Sequence, residues 1–198
     1  MDTKNFKQQL ENCFNPSIFK QNLVIASLFI AVFDNFKSSI TDKVKYYYWS
    51  GIDHGVEQFK DYEQEVLSKI KTKNNKQIKA TLLWLRESGA ITYEDENKFE
   101  ELTNMRNKLA HEMNKMLLEG FPEIIYDLYA DMIKLFNKIE RWWIIEIEMS
   151  INPPDIPQED ICWDGITSVN IEFIKIMSEI AFTDNDKYMK MIKDYPNI

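Results

Sequence analysis

Three side chains that suit phosphodiester chemistry lie close together in this sequence: Arg106, Asn107 and His111. An imidazole can accept or donate a proton near neutral pH. A guanidinium can bind a phosphate and stabilise the charge that develops on it. The carboxamide can orient a hydroxyl or fix the tautomer of the imidazole. Together these groups suit cleavage without a metal, in which a neighbouring ribose hydroxyl is the nucleophile.

The element that must position these groups is an amphipathic helix predicted over residues 92–116. Thr92 followed by Asp95 is typical of a helix start. On a wheel of about 100° per residue, His111 and Asn107 point away from the apolar stripe, and Arg106 lies at its edge. The stripe itself consists of Leu102, Met105, Leu109, Met113 and Met116. The sequence therefore predicts a polar face directed away from the chain's own core.

An ordinary structural role is the alternative for the same residues. Arg106 can pair with Glu101 or Glu112 on its own helix, and His111 can be a solvated surface residue. Short motifs have many chance matches. The scarcity of these residue types, three arginines and two histidines in 198 residues, makes a chance match less frequent here. The spacing alone does not decide between the two roles.

Composition limits the classes of protein to which the chain can belong. With 44% hydrophobic and 13% aromatic residues it is globular, and five glycines and six prolines are few for a turn-rich β protein. The formal net charge of −8 opposes broad, non-specific nucleic-acid binding, which depends on Lys and Arg. A small, locally basic site is still compatible with this charge.

Metal, cofactor and membrane associations are not expected. Cys13 and Cys162 lie far apart without a CxxC motif, so neither a zinc site nor a disulfide framework is predicted. The N-terminus lacks the layout of a signal peptide. The most apolar run, 23–33, has about half the length needed to span a bilayer. These features predict a soluble, cytoplasmic protein.

Helical periodicity predicts an all-α bundle of long antiparallel helices. No internal repeat and no alternating segment long enough for a strand is present. Residues 1–150 are predicted to form one helical domain, and 151–198 a C-terminal helical extension packed on it, after a proline-rich connector at 152–160. The predicted helices cover 3–13, 18–49, 56–70, 77–86, 92–116, 123–148, 168–182 and 187–193.

The segment LTNMRNKLAHEM resembles the R-x(4–6)-H signature of the HEPN superfamily. It has Arg106, then four residues, then His111, with a polar residue, Asn107, directly after the arginine. The order of helices over about residues 18–148 is also similar. The C-terminal extension has no counterpart in this resemblance.

The resemblance implies a HEPN-like bundle that forms a homodimer with its two motif helices facing one another. Many members are metal-independent endoribonucleases of toxin–antitoxin, abortive-infection or phage-defence systems, whose arginine and histidine form a composite site between subunits. It therefore implies catalytic roles for Arg106, Asn107 and His111, RNA contacts for Lys108 and Lys115, and an antitoxin or defence-system protein as a partner. Some members carry a tyrosine two residues after the histidine, which a partner modifies. Met113 occupies that position here and argues against such regulation.

A non-catalytic function is the alternative, because other HEPN members serve as helical interaction modules or as RNA- or nucleotide-binding modules. Three further features of the sequence each allow a functional and a structural interpretation. His54 can reach a site from its loop or be solvated, the aromatic run 46–49 can stack bases or pack, and the lysine-rich run 69–79 can contact an RNA backbone or be a solvated connector.

Overall fold

A computed structural model describes residues 9–10 and 14–182, and in this part of the chain it confirms the all-α prediction. The predicted lead-in helix 3–13 lies mostly outside the described residues, and the predicted helix 187–193 lies wholly outside them. The long helices are α1 Pro16–Tyr47, α2 Lys76–Glu87, α3 Tyr93–Glu119, α4 Ile124–Trp142 and α5 Val169–Phe182.

Helix α1 is the central element, and it contacts each of the other four helices. The side chain of Asn15 caps its start by accepting hydrogen bonds from the backbone N–H groups of Ser17 and Ile18, at 3.0 and 3.3 Å. Its length and apolar composition would also allow it to cross a membrane. A core helix passes the same test, and the following residues of α1 are buried in the bundle: Ile25, Ala26, Phe29, Val32, Phe33, Phe36, Ile40, Thr41 and Val44.

The prediction of a helix over 56–70 is wrong, since residues 56–58 form the second strand of a β-hairpin. Strands β1 Gly51–Asp53 and β2 Val56–Gln58 pair antiparallel across a two-residue turn. Both turn residues, His54 and Gly55, have positive φ angles of 48° and 80°. Such a turn matches the twist of paired strands and cannot continue a helix. A π-helical turn, Tyr62–Val66, and a 3₁₀ turn, Leu67–Lys69, follow.

The start of α3 has the capping box that the sequence predicts. The Thr92 backbone N–H donates to Asp95 Oδ2 at 2.8 Å, and the Asp95 backbone N–H donates to Thr92 Oγ1 at 3.3 Å. Partial burial alone would raise the pKa of the Asp95 carboxyl. The hydrogen bonds from Lys138 and from the Thr92 backbone outweigh that effect and hold the pKa below its usual value. Asp95 thereby also ties α3 to α4.

The buried face of α3 is the predicted apolar stripe. Leu102, Leu109 and Met116 are buried, and Met105 and Met113 pack against the core. The helix has non-helical backbone angles at Glu112, with φ −119° and ψ 18°, so it is kinked. The kink comes directly after His111 and therefore ends the straight segment that carries the motif.

The chain after α4 returns to the same core. A π-helical segment, Trp143–Glu148, extends α4, and irregular chain with two 3₁₀ turns leads to α5. Ile171 and Ile174 of α5 join the core cluster, and the hydroxyls of Tyr129 and Ser178 lie 2.8 Å apart. Helix α5 is thus packed on α4 and α1.

A buried carboxylate joins α4 to α1. Glu140 is only 1% exposed. Its Oε1 accepts a hydrogen bond from Ser39 Oγ at 3.0 Å and lies 3.0 Å from Lys43 Nζ. The Lys43 ammonium also lies over the ring of Trp143, 5.6 Å from its centroid. Lys43 therefore compensates the negative charge that the core would otherwise hold alone.

We expect Lys43→Met to lower the free energy of unfolding by about 3 kcal/mol, because it leaves the Glu140 charge buried without a cation. Urea denaturation measures the change. The matched control is Lys134→Met, which removes an ammonium from a side chain that is 77% exposed and should change stability by less than about 0.5 kcal/mol. Adding Glu140→Leu to Lys43→Met should restore much of the stability. Equal stabilities of wild type and Lys43→Met would contradict this role of Lys43.

Candidate functional site on helix α3

The outer face of α3 presents His111 and Asn107 to solvent. Both side chains are exposed, and neither makes a hydrogen bond or ion pair with any residue in the described part of the chain. Because their own helix buries the opposite face, nothing in the described fold uses these two polar groups. The predicted orientation of His111, away from the core, is what the structure has.

Arg106 lies on a different side of the helix and has a partner that the sequence did not predict. Its Nε and Nη2 atoms donate to the two carboxylate oxygens of Asp34 on α1, at 3.0 and 2.9 Å. The predicted partners Glu101 and Glu112 are wrong. This paired, fork-like geometry holds a guanidinium firmly in one orientation. The side chains are 29% and 47% exposed, so the pair lies at the edge of the bundle and water reaches it.

Arg106 and His111 are not brought together within one chain. Five residues separate them, which is about 140° of rotation around the helix and about 7.5 Å along its axis. Arg106 is directed toward α1, whereas His111 is directed away from the bundle. No hydrogen bond in the described residues connects the two side chains or either of them to Asn107. One chain therefore presents two halves of the predicted site on separate surfaces.

The two lysines that the sequence assigns to RNA contact line a hollow on another side of α3, with a volume of about 370 Å³. Lys108 and Lys115 share this hollow with two acidic side chains, Glu112 and Glu119. Positive and negative charges therefore balance there. The hollow does not supply the locally positive cleft that would favour a phosphate chain.

A larger cavity of about 640 Å³ separates α2 from α3, and Asn107 lines it. We name it the α2–α3 groove. Its walls combine apolar side chains with carboxamides and charged groups, as ligand-binding clefts do. Arg86 Nε lies 3.0 Å from Glu96 Oε2 across it, outside hydrogen-bond geometry. The full lining is Ile70, Asn75, Ile78, Lys79, Leu82, Leu83, Arg86, Glu96, Phe99, Glu100, Thr103, Asn104 and Asn107.

A third cavity, of about 500 Å³, lies where α1 meets the start of α2. We name it the lysine hollow, because three lysines line it against a single aspartate, Asp42. It shares Asn75 and Ile78 with the α2–α3 groove. Its lining is Lys37, Ser38, Thr41, Asp42, Lys73, Asn75, Lys76, Gln77 and Ile78.

Two other candidates of the sequence, His54 and the aromatic run 46–49, lie away from these cavities, whereas the lysine-rich run 69–79 contributes residues to both. His54 occupies the hairpin tip with its side chain 96% exposed, and its Nε2 is 3.7 Å from Asp53 Oδ1. Tyr48 accepts a hydrogen bond from Trp84 Nε1 at 3.0 Å, and Tyr47 packs against Trp84 and Trp143. Tyr48 therefore packs at one end of the bundle, while Tyr46, Tyr47 and Trp49 of the same run remain 50%, 49% and 48% exposed. Among the described residues, no group of three or more His, Cys, Asp or Glu side chains could hold a metal ion.

Comparisons with protein-family models, with curated proteins and with solved structures find no match to this chain. The all-α fold and the geometry of the motif helix are therefore the observations on which a function can be proposed.

Sequence reasoning missed Asp34, although a signal for it exists. It is the one acidic residue between positions 16 and 41, on a helix that is otherwise strongly apolar. An isolated carboxylate on an apolar helix that packs against other helices is a candidate partner for a cation on one of them. The sequence did single out the lysine-rich run 69–79 as a candidate RNA contact, and Lys73 and Lys76 of that run line the lysine hollow. The two cavities themselves were missed, since they form between helices that periodicity cannot place relative to one another.

Proposed function

We propose that the chain is a HEPN-type, metal-independent endoribonuclease whose active site is completed by a second copy of the same chain. The observation that carries this proposal is the exposed face of α3, where His111 and Asn107 have no partner within the described chain. The resemblance of the segment 102–113 to the HEPN signature adds the arginine to this pair.

The reaction needs a base and a group that stabilises charge. The His111 imidazole removes the proton from a ribose 2′-hydroxyl, whose oxygen attacks the adjacent phosphorus. The new O–P bond forms as the bond from phosphorus to the 5′-oxygen breaks. That leaving oxygen takes a proton from water, and the hydroxide so formed takes back the proton that His111 removed. The products are a 2′,3′-cyclic phosphate and a 5′-hydroxyl. Arg106 stabilises the charge on the phosphate oxygens, and Asn107 orients the hydroxyl or the imidazole.

A second subunit accounts for the separation of the catalytic groups. If two α3 helices face one another around a twofold axis, His111 of one subunit can approach Arg106 of the other. The twofold axis then makes two such sites, each with one histidine and one arginine. In this arrangement Arg106 must leave Asp34 or turn its remaining N–H groups toward the phosphate.

The cellular setting follows from the same proposal. A ribonuclease that cuts the cell's own RNA must be held inactive until it is needed, so we propose a toxin–antitoxin or phage-defence context in the cytoplasm. The partners are then RNA and an antitoxin or other defence-system protein that blocks the exposed face of α3.

The second candidate function is a non-catalytic helical module that binds RNA, a nucleotide or another protein. The Arg106–Asp34 pair favours it, because both carboxylate oxygens engage the guanidinium that catalysis requires. In this case Arg106 joins two helices and His111 is a surface contact. The two functions differ in whether the replacement of Arg106 lowers RNA cleavage or lowers only stability.

The test is cleavage of mixed single-stranded RNA by the purified chain in the presence of EDTA. The expected result is cleavage that yields 2′,3′-cyclic phosphate ends, detected by mass spectrometry. His111→Ala purified in parallel controls for contaminating ribonuclease. Cleavage that is identical in both preparations, or none at all in the wild type, would overturn the proposed function.

A further inference from the structure

We propose that the α2–α3 groove and the lysine hollow form a track for single-stranded RNA that leads to Asn107 and His111. The groove takes the base of a nucleotide next to the cleaved phosphate, and the lysine hollow takes a phosphate farther along the strand. This inference rests on the proposed function, because that function defines the site to which the track leads.

Continuity is the first argument. The lysine hollow and the groove share Asn75 and Ile78, so a strand can pass from one to the other along α2. At its other wall the groove is lined by Asn104 and Asn107 of α3. His111 follows one helical turn after Asn107 on the same exposed face. The lysine hollow, the α2–α3 groove and the exposed face of α3 therefore follow one another across the surface.

Charge is the second argument. Lys37 and Lys73 have no acidic partner within 4 Å in the described part of the chain, and Lys76 has only a loose contact of 3.7 Å with Glu63. On a chain of net charge −8, three lysines around one hollow form a local positive site. Phosphate contacts supply much of the affinity of nucleic-acid binding.

The chemistry of the groove fits a base better than a phosphate. Ile70 and Leu83, which are partly exposed, offer apolar surface to a ring, while Asn75, Asn104 and Asn107 offer amide donors and acceptors to its edge. The side chains of these three asparagines make no hydrogen bond with the described residues. The volume of about 640 Å³ is in the range of small-molecule pockets.

The charges that line the groove fit this division of roles. Arg86 lies beside Glu96, and Lys79 and Glu100 are both exposed along the groove, so its positive and negative charges balance. The groove therefore attracts a phosphate less than the lysine hollow does, where three lysines face one aspartate. A duplex keeps its bases stacked inside, whereas a single strand can place one base in a hollow and its phosphate elsewhere. The arrangement therefore selects single-stranded RNA.

The experiment measures binding without turnover. A short fluorescein-labelled single-stranded RNA of mixed sequence is titrated with His111→Ala protein at several KCl concentrations, and anisotropy gives the dissociation constant. In this background the triple variant Lys37→Gln/Lys73→Gln/Lys76→Gln is expected to bind at least about tenfold more weakly at low salt. The slope of log K against log [KCl] should become shallower by about 0.7 for each phosphate that the variant no longer neutralises.

The matched control has the same change in net charge at exposed lysines elsewhere, Lys20→Gln/Lys134→Gln/Lys175→Gln, and should bind RNA as the parent does.

Asn104→Leu tests the groove, because it removes an amide without changing the charge. It should leave the salt slope unchanged and reduce the differences in affinity among homopolymeric RNAs. Duplex RNA should bind more weakly than the single strand to the parent protein.

Several outcomes separate this inference from the proposed function. If wild type cleaves RNA, and the lysine triple variant binds RNA as the His111→Ala parent does and, with His111 restored, cleaves as wild type does, the track is overturned and the nuclease stands. If RNA binding depends on the three lysines but wild type does not cleave, the track stands and the nuclease fails. If the triple variant no longer dimerises in size-exclusion chromatography and its RNA affinity is unchanged, the surface binds a second copy and the track is overturned.

Discussion

His111→Ala is expected to lower the rate of RNA cleavage by about 10²–10⁴-fold, the usual contribution of a positioned general acid or base. The fold should not change, because the side chain is exposed and makes no hydrogen bond or ion pair with the described chain. Single-turnover cleavage of a labelled RNA measures the rate, and thermal denaturation measures the fold.

The control for His111 lies four residues later on the same helix. Lys115 is exposed, and Lys115→Ala removes a side chain that lines the charge-balanced hollow. It should change the cleavage rate by less than about tenfold, since removal of one exposed cation costs at most about 1 kcal/mol of binding. Equal decreases in the two variants would contradict a special role for the imidazole.

Arg106→Ala is expected to lower cleavage by about 10²–10³-fold, because it removes the principal donor to the charged phosphate oxygens. Asp34→Asn removes the negative partner of Arg106 without removing the arginine. It should leave cleavage equal to wild type or increase it, since the guanidinium is then less strongly held. Both replacements should change the free energy of unfolding by only about 1 kcal/mol, because water reaches the ion pair.

Comparison of the two variants separates the candidate functions of Arg106. If the ion pair only joins α1 to α3, then Arg106→Ala and Asp34→Asn should lower stability by similar amounts and have similar effects on activity. If Arg106 stabilises the reaction, only its own replacement should lower cleavage by about 10²–10³-fold. An equal decrease of cleavage in both variants would contradict the catalytic role.

Local signals make much of the fold predictable. The side chains of Asn15 and Thr92 cap helix starts within three residues of themselves, so the sequence near α1 and α3 contains the boundary of each. The apolar stripe of α3 is predictable for the same reason, since side-chain direction on a helix depends on spacing alone. The exposed orientation of His111 follows directly from that stripe.

The hairpin is not predictable in this way. His54 adopts a left-handed conformation that glycine or asparagine adopts more readily, and the strands are only three residues long. The spacing of Val56, Phe59, Val66 and Leu67 therefore predicts a helical face that does not exist. Pairing of Gly51 with Gln58, rather than any local periodicity, decides the structure of this segment.

The candidate site is predictable only as far as one helix reaches. The sequence places Arg106 at the edge of the buried stripe, and it is there, but the choice of Asp34 over Glu101 or Glu112 depends on how α1 packs against α3. The α2–α3 groove likewise depends on the distance between two helices. Contacts between residues that are far apart in the sequence produce no local pattern from which they could be predicted.

The most direct test of a shared active site is a mixture of two inactive variants, Arg106→Ala and His111→Ala, after unfolding and refolding together. In a mixed dimer, one subunit keeps His111 and the other keeps Arg106. If each site takes its histidine and its arginine from different subunits, one intact site forms in every mixed dimer. Cleavage should then return to about a quarter of the wild-type rate, because half of the dimers are mixed and each has one of two sites. Mixed dimers that form and do not cleave RNA would contradict the proposed site.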